Sequence, residues 1–118
     1  MLFRSHIVLA AAAAGIDALD TVFTDVNDVD TLRQDCVRAR GLGFRGKIAI
    51  HPRQVPVINE VFTPGPADVD RARKTIEAYE AAAAAGVGVT TLEGRMVELP
   101  IVERARRTVV LAEKYRSR

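Results

Sequence analysis

Residues 7–14 are an unbroken run of small apolar side chains, rich in alanine, the best helix former, and Gly15 stands where helices end. Residues 18–23 (ALDTVF) read as a strand between polar turn residues. From the capping residue Asp28 to about Arg40, Val29, Leu32, Cys36 and Ala39 recur at helical spacing, and Gly41 and Gly43 close the element. Residues 47–51 (KIAIH) are almost continuously apolar. A strand without alternation, lying between helices, predicts a parallel sheet covered on both faces. Pro52 keeps His51 extended. Residues 53–62 predict a short helix disturbed near Pro56, and residues 63–66 (TPGP) a turn. Pro66 suits the first position of a longer helix, with Asp68 and Asp70 at its positive end. Its apolar stripe is Val69, Ala72, Ile76, Tyr79 and Ala83, and Gly86 and Gly88 terminate it. Residues 87–92 are extended or irregular, and Gly94 turns. Pro100 opens a last helix with Ile101, Ala105, Thr108 or Val109, and Ala112 on one face.

The order is helix, strand, helix, strand, then three helices. Two βα units supply two parallel strands, which alone make neither a stable sheet nor a barrel. The pattern therefore predicts part of an α/β domain. The 118 residues have room for one domain at most, and with 5% aromatics and much alanine the core is thin. A formal charge of +2 gives no global field that implies nucleic acid. Locally, Arg38, Arg40, Arg45 and Lys47 surround a glycine-rich turn and are suited to phosphates. A second cluster, Arg104, Arg106, Arg107, Lys114, Arg116 and Arg118, reads as solvated helix end and tail. The single cysteine, Cys36, excludes an internal disulfide and falls at an apolar helix position, as a buried inert thiol does. The N-terminal run imitates a short signal peptide. It is too short for a bilayer, which needs about 20 residues. The rival reading, a helix packed on a sheet, makes the chain cytoplasmic, with no membrane and no nucleic acid among its partners.

In parallel α/β folds chemistry gathers at the C-terminal ends of strands. Asp20 lies inside an apolar strand, where a carboxylate is either paired or faces a polar mouth; the residues alone leave both open. His51 follows the second strand. The glycines of residues 41–46 follow a helix, so they are no dinucleotide fingerprint. No Walker loop, nucleophile elbow or metal-ligand spacing is present. Glu93 and Glu98 stand in a loop before the last helix, as solvated charge, a helix cap, or an acid/base on a mobile lid.

GFRGKIAIHPRQV (residues 43–55), VFTPG (61–65) and GRMVELP (94–100), together with ALDTVF, stand in an order that closely resembles the C-terminal part of the citrate lyase beta-subunit-like family. These are the citryl-CoA, malyl-CoA and methylmalyl-CoA lyases of the HpcH/HpaI aldolase superfamily. The resemblance implies a (β/α)8 TIM barrel of eight strands and about 250 residues, of which this chain holds the last two βα units plus a helical lid extension. Residues 1–90 are then the C-terminal part of the barrel domain and residues 91–118 the lid. The implied function is the C-terminal part of a magnesium-dependent CoA-ester carbon–carbon lyase, inactive alone. The metal carboxylates are expected on earlier strands, in the N-terminal barrel half, and none of the residues here is a metal ligand. The implied partners are a CoA-thioester substrate, that N-terminal half, and further copies in a trimer or hexamer.

By the same resemblance Asp20 stands at the active-site mouth, and His51, Pro52 and Gln54 border the CoA entrance. Glu98 falls where many members carry a lid aspartate acting as acid/base. Arg45, Lys47 and Arg53 suit CoA phosphates by charge. The alternative is a non-catalytic CoA-binding or regulatory half-barrel module; a third reading, setting the resemblance aside, is nucleic-acid binding through residues 38–47.

Overall fold

The computed structural model describes residues 2–116; Met1, Ser117 and Arg118, the last a member of the second basic cluster, lie outside the described residues. Contacts divide the chain into two units, Met1–Phe62 and Thr63–Arg118.

In the first unit the alanine-rich run extends N-terminally into α1 (Leu2–Ala14), which turns Val8 and Ala11 to the core. Gly15 stops it at a positive φ of 70°, and the Ile16 N–H reaches back to the Ala11 carbonyl at 3.0 Å, a helix-ending geometry that glycine permits. β1 (Leu19–Asp20) follows. In α2 (Val29–Leu42) the Asp28 carboxylate accepts from the Thr31 N–H at 3.0 Å, satisfying one of the free amides of the first turn. Gly43, at φ 109°, ends α2, and any Cβ there would lie 2.8 Å from a Val8 methyl. β2 (Gly46–Lys47) pairs with β1 in parallel, Leu19 opposite Gly46 and Asp20 opposite Lys47. A single 3₁₀ turn (Pro52–Gln54) leads into α3 (Val55–Phe62). Pro56 sits in the first turn of α3, where a missing N–H leaves no bond unmade. Leu32, Cys36 and Ala39 of α2 meet Phe44 and Val57, Ile58, Val61 and Phe62 in one apolar cluster.

The parallel pair is thus where the pattern placed it, but shorter: residues 48–51 are not in the ladder. It is also covered on one face only. Asp20 and Lys47 are buried, whereas Leu19 is 60% exposed and Ile48 and Ile50 about half exposed (50% and 49%). The apolar run at 47–51 anticipates burial that these residues do not find among the described residues.

In the second unit Pro66 begins α4 (Pro66–Ala84), with the Gly65 N–H donating to the Asp68 carboxylate at 3.2 Å. Ala72 and Thr75 are its buried positions, while Ala83, expected in the stripe, is exposed. β3 (Thr90–Leu92) and β4 (Arg95–Val97) form an antiparallel hairpin where only an extended stretch and a turn were expected. Its two-residue loop has Glu93 at φ 51° and Gly94 at φ 77°, as the tight hairpin with two left-handed central residues requires. α5 (Leu99–Arg116) buries the expected Ala105 and half-buries Thr108, Val109 and Ala112, but at its start Val102 is buried in place of the expected Ile101, which is exposed. Among the described residues no helix is long and apolar enough to cross a membrane.

Candidate functional site

Asp20 projects from β1 toward α1 and α2. Its carboxylate accepts from Lys47 Nζ at 2.8 Å and from Arg4 Nη2 at 2.7 Å. Lys47 Nζ also donates to Asp35 Oδ2 at 2.6 Å, and Arg4 Nη1 lies 3.4 Å from Asp35 Oδ1. Two cations and two carboxylates close a neutral ring that joins α1, β1, α2 and β2. Its centre is dry: the Lys47 and Asp20 side chains are 1% and 3% exposed. The Arg4 guanidinium lies 5.9 Å from the centroid of the Phe44 ring, within cation–π range.

Burial pushes the Asp20 carboxyl up, but the hydrogen bond and charge of Lys47, with those from Arg4 and the Thr21 amide, outweigh it and hold it below its usual range. Burial likewise lowers Lys47, and its bonds to Asp20 and Asp35 outweigh that and hold it above its usual range. Both groups therefore stay charged at neutral pH. Burial pushes the Cys36 thiol up, keeping it a thiol rather than a reactive thiolate. The ring places Asp20 and Lys47, singled out for a catalytic mouth and for phosphate respectively, against each other. Neither Arg4 nor Asp35 was singled out; their only signal was a charge beside an apolar helical stripe, and their partners lie far along the chain.

At the ends of the strands a second network forms. Gln54 is 2% exposed. Its side-chain oxygen accepts from the Ile50 N–H at 2.9 Å, and its side-chain NH2 donates to the Phe23 carbonyl at 2.8 Å. The residues after β1 and after β2 are thereby joined through one carboxamide. The Arg53 N–H donates to His51 Nδ1 at 3.1 Å, which makes His51 the cap of the turn that Pro52 begins. Arg53 Nη1 lies 3.4 Å from Asn27 Oδ1 and is exposed. His51, Pro52, Arg53 and Gln54 thus stand together at one end of the strand pair. Arg45 stands apart, its Nε 3.5 Å from Asp17 Oδ1. Arg40 of the same basic cluster donates to the Val61 carbonyl at 3.0 Å, so much of the charge at residues 38–47 is engaged within the unit.

Glu98 belongs to the second unit and is exposed. Its carbonyl accepts from the Ile101 and Val102 N–H groups at 3.0 and 3.1 Å, so it is the residue from which α5 starts. Its carboxylate lies where the helix dipole favours negative charge.

Among the described residues no three His, Cys, Asp or Glu side chains converge as a metal site. The two carboxylates that do converge, Asp20 and Asp35, enclose Lys47 and Arg4, whose charges oppose a divalent cation. The residues present therefore do not fit magnesium.

Residues 2–52 match the family model described as HpcH/HpaI aldolase/citrate lyase. Over 93% of its length the chain is 43% identical to the citrate lyase subunit beta of Escherichia coli, covering 36% of that protein. It is 41% identical over 90% of its length to a (3S)-malyl-CoA thioesterase of Cereibacter sphaeroides, covering 37% of it. Among solved structures, 93% of the chain superposes with a TM-score of 0.73 and 34% identity on 40% of the protein CitE of Mycobacterium tuberculosis, determined in complex with magnesium, acetoacetate and coenzyme A. The chain spans little more than a third of the length of the curated relatives it matches. It has a mixed α/β fold like that of its CitE relative, and it belongs to the HpcH/HpaI aldolase/citrate lyase family as a relative of the citrate lyase beta subunits.

Proposed function

We propose that this chain is the C-terminal part of a CoA-ester carbon–carbon lyase, of the type that cleaves or forms citryl-CoA or malyl-CoA. The observation that carries the reading is the continuous similarity of 93% of the chain to a citrate lyase beta subunit. The exposed apolar side chains Leu19 on the strand pair and Ile48 and Ile50 just beyond it support the reading, since further parallel strands of a barrel would cover them. In this reading residues 1–90 complete the barrel and residues 91–118 are the lid. His51, Pro52 and Arg53 edge the CoA entrance, where the Arg53 guanidinium suits a phosphate. Glu98 holds or moves a proton on the acyl methyl or the hydroxyl. The reacting thioester passes through an enolate, whose growing negative charge calls for cationic stabilisation. The magnesium of such enzymes is assigned to residues outside this chain, and the chain itself positions CoA and the lid carboxylate.

The test is direct. Incubated alone with citryl-CoA or malyl-CoA and magnesium, the chain cleaves neither, yet it binds coenzyme A saturably in a calorimetric titration. Magnesium-dependent cleavage by the chain alone would overturn the assignment of the metal site elsewhere. A folded chain with no affinity for coenzyme A would overturn the placement of the CoA entrance.

A further inference from the structure

Gln54 is an uncharged polar side chain that bonds to the backbone beyond both strands, and it does so from a buried position. A primary carboxamide has one acceptor end and one donor end, and here each meets its complement: the Ile50 N–H at the oxygen, the Phe23 carbonyl at the nitrogen. The reversed amide would set NH2 against N–H and oxygen against oxygen, so the network fixes its orientation. We infer that Gln54 is a positioning residue and not a ligand contact. Its carboxamide is a cross-brace that holds the segment after β1 to the segment after β2.

What the brace positions is visible in its neighbours. Gln54 is the last residue of the 3₁₀ turn capped by His51, and the Arg53 guanidinium of that turn reaches Asn27 in the segment that follows β1. Without the brace the turn keeps its own cap but loses the buried tie to Phe23. The 3.4 Å Arg53–Asn27 contact between the two segments is long and exposed to water, a weaker tie. Part-buried hydrogen bonds of this kind matter by what their loss leaves behind, here a carbonyl and an amide that lose the partner held by a buried side chain. Resting on the reading proposed above, this makes Arg53 and His51 the groups offered to CoA and Gln54 the group that holds them there.

Two near-isosteric substitutions separate this from a merely space-filling role. Gln54→Met keeps the volume and loses both bonds at every pH. Gln54→Glu as a carboxylate still accepts from Ile50 but faces the Phe23 carbonyl with a second acceptor; once protonated it donates as the amide does. His51, the titratable neighbour on the same turn, is common to all three forms, so wild type is the reference at each pH. In the full chain, hydrogen exchange of the Ile50 amide, corrected for intrinsic rate, reads the brace, and titration with coenzyme A reads its consequence. At about pH 8 both variants should lose about tenfold or more in Ile50 protection and in affinity, the worth of one or two such bonds. At about pH 5.5 Gln54→Glu should return to within about threefold of wild type, while Gln54→Met should not. Wild-type Ile50 protection in Gln54→Met, or no recovery of Gln54→Glu at low pH, would overturn the brace. If the exchange pattern holds but wild type does not bind coenzyme A, the brace stands and the CoA reading fails.

Discussion

Asp20 and Glu98 carry the same functional group in opposite surroundings. Asp20 is buried between a strand pair and two helices, with two cations at hydrogen-bond distance. Glu98 is exposed at the start of a helix. A carboxylate with two short charge-assisted bonds and almost no exposed surface has a fixed place and a fixed charge. It resists protonation and is poorly placed to exchange a proton with a substrate. A carboxylate at a helix N-terminus in a hairpin–helix segment keeps its solvent access and can move with the segment. Membership of an acid/base pair is therefore decided by environment, not residue type. The same contrast separates Lys47, enclosed by two carboxylates, from the half-exposed Arg106, 3.8 Å from Glu80 on the second unit.

The largest break in this contrast is Lys47→Met. It leaves the buried Asp20 and the part-exposed Asp35 facing Arg4 alone and should cost about 3–5 kcal/mol, read as a fall in the urea midpoint. The double variant Asp20→Asn/Lys47→Met removes the opposing charges together and should recover a large part of that loss. Additive losses in the two single variants would show that the pair is not coupled.

The next effect is on pH dependence. The folded Asp20 carboxyl titrates below its unfolded counterpart, so its stabilisation is complete above the ordinary carboxylate range, about 4, and is lost as pH falls through the lower folded value. The folded Lys47 titrates above its unfolded counterpart, so its stabilisation is complete below about 10.4 and is lost only as pH rises through the higher folded value. Thermal melts should thus show no contribution to pH dependence from this pair between about pH 5 and 9.5, and Asp20→Asn should flatten the acid limb. An unchanged acid limb in Asp20→Asn would contradict the pairing. The smallest effect belongs to Arg106→Ala, whose exposed, long contact to Glu80 should be worth less than about 1 kcal/mol and vanish in high salt.

The sequence made the helices legible because their ends carry local chemistry: Asp28, Gly15, Gly43 and Pro66 each do at the terminus what their side chains or φ freedom favour. It made the parallel pair legible but overstated β2, since Ile48 and Ile50 signal burial against a neighbour that the described residues do not supply. β4 escaped because Glu93–Gly94 is a weak hairpin signal; the usual Asn-Gly pair tolerates the left-handed conformation better than glutamate does. On α5 the stripe from Ala105 onward stands as expected, and only at its start does Val102 take the buried place expected for Ile101. The ring around Asp20 was out of reach, because Arg4 meets Asp20 and Asp35 only through the tertiary fold. Gln54 could be singled out by resemblance, but its two backbone partners belong to segments 31 residues apart and adjacent, a geometry no local pattern encodes.

The central claim is that these residues supply the CoA entrance and the lid acid/base of a CoA-ester lyase. The most direct measurement replaces the aligned region of the Escherichia coli citrate lyase subunit beta with this chain and assays citryl-CoA cleavage. The chimera should turn over, and Glu98→Gln within it should lower kcat by about 100-fold or more while its melting temperature stays unchanged. A folded chimera that binds coenzyme A without turnover, or one whose kcat is indifferent to Glu98→Gln, would contradict the account.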